Sequence, residues 1–195
     1  MTSQQWIRNA TEVLESVRHA AEDFQGATTL SRAKTAIRNF LEQARSVTWA
    51  LEHLKSQLPD DEWEAWWSEV MADLRADPVS QWFYQLRNPI VKEGQPVDIR
   101  TVAHMQGPFN LPPPEETRPD GAEGWILDSN FNAFWVMPDG SRQAASPIEG
   151  VRRWNTLDGI PDELLTRPLH ELMNQHIRNL EKVVAATSAR FGAEQ

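Results

Sequence analysis

Between Leu30 and Leu58 nine apolar residues follow one another at alternating spacings of three and four: Leu30, Ala33, Ile37, Phe40, Ala44, Val47, Leu51, Leu54 and Leu58. No polar residue interrupts the series. Such a seam has meaning only on a helix, where positions three and four apart share a face, and it commits four heptads to pack along a partner. Ala33 and Ala44 let that partner approach closely, and Pro59 supplies a stop.

The flanking segments carry the partners. Trp6, Ala10, Val13, Leu14, Val17, Ala21 and Phe24 form one stripe of a helix over about 3–25, which Gly26 ends. Asp60 is an N-cap for a third helix, with Asp61 and Glu62 suited to its positive end. Its inward face reads Trp63, Trp66, Trp67, Val70, Met71 and Leu74. Asp77 and Pro78 cap a further helix that turns Val79, Trp82, Phe83 and Leu86 inward and ends near Arg87 and Asn88. Pro89 removes a backbone donor there, so a kink or break is expected that re-aims Lys92 relative to Arg87. A final helix is expected from near Pro161 and Asp162 to about Arg190, with Pro168 near its start or marking a joint.

The character changes between Gln95 and Gly150, where eight of the thirteen prolines fall. Val97 to Met105 alternates like a strand, as do Gly124 to Asp128 and Ala133 to Met137, and Met137-Pro138-Asp139-Gly140-Ser141 is a turn into a third short strand. The fold expected is therefore mainly α, an up-and-down bundle of four to five helices with a small β-containing insertion before the last. The helical domain takes 1–96 with 150–195, and the insertion takes 97–149.

Bulk properties narrow the functions. The net charge of −9 opposes general affinity for nucleic acid, but the acid is segregated into 59–77, with a balance of −6, and 101–150, with −5. The remainder sums to +2, leaving room for a local basic groove. The chain has no cysteine, so disulfides and thiolate metal sites are excluded, and no apolar run reaches the ~20 residues of a membrane span. Met1 to Trp6 shows no secretory signal, and a cytoplasmic protein without a membrane role is expected. Six of the nine tryptophans fall on expected helices, where they read as core anchors rather than stacking platforms.

The candidate site is the run Leu86-Arg87-Asn88-Pro89-Ile90-Val91-Lys92-Glu93-Gly94, which sets two cations five positions apart around an amide. Arg87, Asn88 and Lys92 can hold a phosphate, or they can complement the negative end of a helix and satisfy stray carbonyls. Arg45, off the seam, has Glu52 seven residues on and is expected to make a buried ion pair or to fork to the Arg87 helix end, with contact to the same ligand as the alternative. The five histidines have no metal-ligand spacing, and no metal or cofactor is expected. Arg152-Arg153-Trp154 either snorkels around the joint between insertion and last helix or extends a basic groove.

The run Asn39-Phe40-Leu41-Glu42-Gln43-Ala44-Arg45-Ser46-Val47-Thr48-Trp49, followed by Arg87-Asn88 and Lys92-Glu93-Gly94, resembles bacterial members of the HEPN superfamily over roughly 5–95 and the final helix. The resemblance implies a helical bundle, usually dimeric with the two motifs facing each other. Its signature is an Arg, a polar residue beside it, and a His four to six positions on. Active members are metal-independent ribonucleases, often toxins or defence proteins. Arg87 matches the motif Arg and Asn88 its neighbour, but Lys92 stands at the place of the His. A side chain with a reference pKa of ~10.4 steadies a phosphate but is a poor general base near neutrality. The resemblance so altered implies a non-catalytic HEPN-like homodimer that binds RNA, a nucleotide or a protein partner through Arg87, Asn88 and Lys92. The alternatives are an endoribonuclease of toxin or antiphage type, with the base supplied elsewhere, and a purely structural dimerisation module.

Overall fold

The computed structural model describes residues 2–58, 60–105, 113–128, 132–145 and 151–192. Pro59, Pro108, Pro112 and Pro147 lie outside the described residues, as does any cap made by the Asp60 side chain.

Helix α1 spans Ser3–Gln25 and opens on a reciprocal cap, in which Thr2 Oγ1 accepts from the Gln5 amide at 3.3 Å and Gln5 Oε1 accepts from the Thr2 amide at 2.7 Å. Helix α2, Leu30–Glu52, starts behind Thr29, whose hydroxyl takes the Arg32 amide at 3.2 Å. The two pack along each other, and α5, Leu169–Phe191, packs on α1 and α2. The seam supplies most of the contact: Ile37, Phe40, Ala44, Val47, Leu51 and Leu54 are all buried. Its first residue departs from the expectation, because Leu30 follows the cap directly and is 58% exposed. Its last turn tightens into a 3-10 segment, His53–Gln57, which still buries Leu54 completely.

Helix α3, Asp60–Ala76, buries Trp63 but leaves Trp66, Trp67, Val70, Met71 and Leu74 half-buried. Trp63 stacks on Trp67 at 5.0 Å, and Trp66 meets Phe191 of α5 edge-on at 5.0 Å. Helix α4, Pro78–Arg87, has the expected Asp77 cap and proline at its first position. Pro89 does not break the chain after it. The helix widens instead into a π turn, Asn88–Lys92, in which the Glu93 amide donates to the Asn88 carbonyl at 3.2 Å. A proline without a donor leaves one carbonyl of the preceding turn unmatched, and the wider turn takes up the misfit. The final helix starts later than the sequence suggests: Asp162–Leu164 forms a separate 3-10 turn, and Pro168 sits as the N-cap of α5.

The chain divides into two compact units, Met1–Ile99 with Leu157–Gln195, and Arg100–Thr156. At the ends of the helical unit's gap, the Asp158 amide donates to the Asp98 carbonyl at 2.9 Å. The second unit holds two small sheets. One pairs β1, Ile99–Met105, with β5, Val151–Leu157; the other is antiparallel in the order β2, Gly124–Leu127, β3, Ala133–Val136, β4, Arg142–Ala144. Strands β2 to β4 fall where alternation and the Pro138-Asp139-Gly140 turn place them. Strand β5 does not: Arg152, Arg153 and Trp154 sit within it, where the sequence reading resumes the helical part.

Among the described residues no helix is long and apolar enough to cross a membrane. Phe40, fully buried, lies against Phe83 of α4 at 5.1 Å and His176 of α5 at 6.0 Å, so it joins three helices. Phe40→Ala is expected to lower the unfolding free energy by about 3–5 kcal/mol, read from the urea midpoint at unchanged slope.

Candidate ligand-binding cavity

Helices α2, α3, α4 and α5 enclose a cavity of about 110 Å³ in the helical unit. Arg45, Thr48 and Glu52 enter it from α2, at spacings that keep them on one face. Ser80, Tyr84 and Arg87 enter from α4 in the same way, Arg75 comes from the last turn of α3, and His176 comes from α5.

The charges are unevenly matched. Arg45 grips Glu52 with both terminal nitrogens, Nη1 to Oε1 at 3.1 Å and Nη2 to Oε2 at 3.2 Å, and also donates to the Thr48 hydroxyl. That planar fork is the geometry in which guanidinium and carboxylate bind best. Arg75 and Arg87 make no ion pair among the described residues. The Nε of Arg87 is buried and has no hydrogen-bond partner among them. Both arginines therefore line the cavity without a carboxylate in ion-pair range among the described residues, Arg87 half-buried and Arg75 exposed.

Ser80 and His176 of the cavity lining belong to a hydrogen-bond network centred on the Asp77 carboxylate. Asp77 caps α4 through the Ser80 amide, Oδ1 accepting at 2.8 Å, while its Oδ2 accepts from the Gln175 side chain of α5 at 2.8 Å. The Ser80 hydroxyl accepts from Asn179 at 3.0 Å and shares a 3.0 Å hydrogen bond with Nδ1 of His176. Burial pushes the His176 imidazole down to about 4, against the opposing pull of Asp77. Burial would raise the Asp77 carboxyl, but the Ser80 amide and Gln175 hold it below its ordinary value. At neutral pH the cavity therefore holds an uncharged imidazole and an ionised Asp77 behind it.

Of the residues singled out in the sequence, Arg45 and Arg87 meet in this cavity and Asn88 and Lys92 do not line it. Asn88 is half-buried in the π turn, where its carbonyl takes the Glu93 amide, and Lys92 is exposed beyond it. Lys92 closes the π turn and is not among the residues that line the cavity with Arg87. Sequence reasoning missed Arg75, Ser80, Tyr84 and His176. A signal for the α4 residues was present, because Ser80, Tyr84 and Arg87 lie four and three apart. The apolar stripe of Val79, Trp82, Phe83 and Leu86 on the same helix is the stronger periodic signal.

Residues 12–106, a little under half of the chain, match the model of a family described as bacteriophage lambda protein ea47. The match includes Arg45, Arg75 and Arg87 but ends well before His176. No curated protein and no solved structure is significantly similar to the chain.

His176 makes stability depend on pH in a defined window. The unfolded imidazole takes a proton below about 6.5 and the folded one only near 4, so the unfolded chain binds more protons between those values. Stability is then fully present above pH 6.5, falls as pH drops toward 4, and has no further contribution from this group below that. The loss amounts to ~3 kcal/mol at most. Urea unfolding at pH 7, 5.5 and 4.5 should show this slope in the wild type and a shallower one in His176→Gln.

Proposed function

We propose that the cavity is a phosphate-binding site for RNA or a nucleotide, in a HEPN-like bundle that binds rather than cleaves. What supports this most is the Arg87 guanidinium, which lines the cavity and makes no ion pair or hydrogen bond among the described residues. An unmet buried donor costs about 1–3 kcal/mol, and more when its group is charged. An acceptor reaching the accessible part of the same guanidinium from the cavity would offset part of that cost. Arg75 adds a second unpaired cation at the same wall, and Glu52 is already taken up by Arg45, so an entering anion meets excess positive charge. The binding set is therefore Arg87 and Arg75 with Arg45 beside them, in place of Arg87, Asn88 and Lys92.

His176 favours a second reading, a metal-independent endoribonuclease. The side chain at the motif position, Lys92, is a poor base, but an uncharged imidazole lines the same cavity as Arg87. Against it, His176 is only 6% exposed and already engaged with Ser80, as a core histidine would be. Protein–protein assembly through the helical unit is what remains if no nucleotide binds.

Titration calorimetry with adenosine 5′-monophosphate and with a short unstructured RNA separates these. Wild type should bind, and Arg87→Ala should lose about 10- to 100-fold in affinity, the loss typical of a hydrogen bond to a charged group. Equal affinities would end the binding proposal. The same RNA incubated in EDTA should stay intact; cleavage that disappears in both Arg87→Ala and His176→Gln would establish the ribonuclease instead.

A further inference from the structure

Tyr84 is the chain's single tyrosine, and its position in the cavity is unusual. It lines the same space as Arg87, yet it is 57% exposed, and no ring contact or hydrogen bond engages it among the described residues. Most other aromatic side chains of the helical unit are held in stacks or edge contacts, as Trp63, Trp67, Phe40 and Phe83 are. An aromatic ring left at a cavity mouth forfeits the burial that normally stabilises it.

Size decides what can enter. At about 110 Å³ the cavity is smaller than the ~150 Å³ engineered cavity that accepts one benzene, so it has room for a phosphate but not for a whole nucleotide. Any base joined to that phosphate must stay at the mouth. Tyr84 precedes Arg87 by three residues on α4, and side chains so spaced are neighbours with Cβ atoms about 5–6 Å apart. A single nucleotide bridges such a gap between its phosphate and its base.

We infer that Tyr84 stacks the base of an unpaired nucleotide whose phosphate sits against Arg87, making the ligand single-stranded rather than duplex. The inference rests on the phosphate-binding reading above and narrows it. Bases in a duplex hide both faces from such a ring, whereas a mononucleotide or an unpaired strand offers one freely. Stacking tolerates any base, so the site distinguishes pairing state more strongly than sequence. Arg75, on the neighbouring helix, is placed to meet the next phosphate or the same one from another side.

The test is calorimetry of the full chain with inorganic phosphate, ribose 5-phosphate and adenosine 5′-monophosphate, on wild type, Tyr84→Ala, Tyr84→Phe and Arg87→Ala. Wild type should bind the nucleotide about 5- to 100-fold more tightly than ribose 5-phosphate. Tyr84→Ala should erase that difference and leave inorganic phosphate binding unchanged, and Tyr84→Phe should keep it. A wild type that does not distinguish nucleotide from ribose 5-phosphate, or a Tyr84→Ala variant with full nucleotide affinity, overturns the inference while leaving the phosphate site standing. Nucleotide binding that depends on Tyr84 but not on Arg87 overturns the phosphate reading and keeps the stacking. Absence of binding by all three compounds overturns both.

Discussion

The carboxylate of Asp77 is where the helical unit is tied together around its cavity. One oxygen holds the Ser80 amide and so starts α4, and the other holds Gln175 on α5. The Ser80 hydroxyl then reaches His176 and Asn179 on the same helix. The first turn of α4 is thereby fixed in register against α5, and everything further along α4 inherits that register. Tyr84 and Arg87 project where they do because the helix carrying them begins at a defined height and rotation. A capping interaction is ordinarily worth about 1 kcal/mol. Here it also spans two helices, so its loss would be felt in the position of the cavity wall as well as in the helix.

The helices were readable because their cause is local and periodic. The Leu30–Leu58 seam, the Asp77-Pro78 start and the stripe of α1 each follow from spacing or capping chemistry within a few residues. The strands of β2, β3 and β4 were readable for the same reason, through alternation and the turn at Pro138 to Gly140. What stayed hidden depends on partners distant in sequence. Strand β5 exists by pairing with β1, some fifty residues earlier. Arg75 and His176 join Arg45 and Arg87 only when four separate helices close on a common space. The Arg45–Glu52 fork, seven residues apart on one helix, was within reach of spacing alone; the isolation of Arg87 was not. The path of the backbone after Pro89 fell between these cases. That something must give there is local, but whether the chain kinks, breaks or widens is not written in the spacing; in the fold it widens, and Ile90 is buried in the π turn.

The cavity also shows where the helical unit departs from its own rules. Most apolar and aromatic side chains of the unit are buried against one another, Leu30 and Trp49 being exceptions, whereas here a guanidinium nitrogen is buried without a partner and the Tyr84 ring is 57% exposed. The imidazole of His176 is kept uncharged among Phe40 and Phe83 at a cost in acid stability. Departures of this kind gather where a fold has been shaped by something other than stability.

The backbone bond between Asp98 and Asp158 has a consequence for how the chain is organised. It holds the exit and the return of the intervening segment side by side, so the helices experience that segment as a closed loop whatever its content. Closing a longer loop costs only ~0.6 kcal/mol for each doubling of its length. The stretch between the two aspartates is in effect a cassette. It is free to lengthen, shorten or be exchanged for a different fold while the bundle that feeds it stays the same.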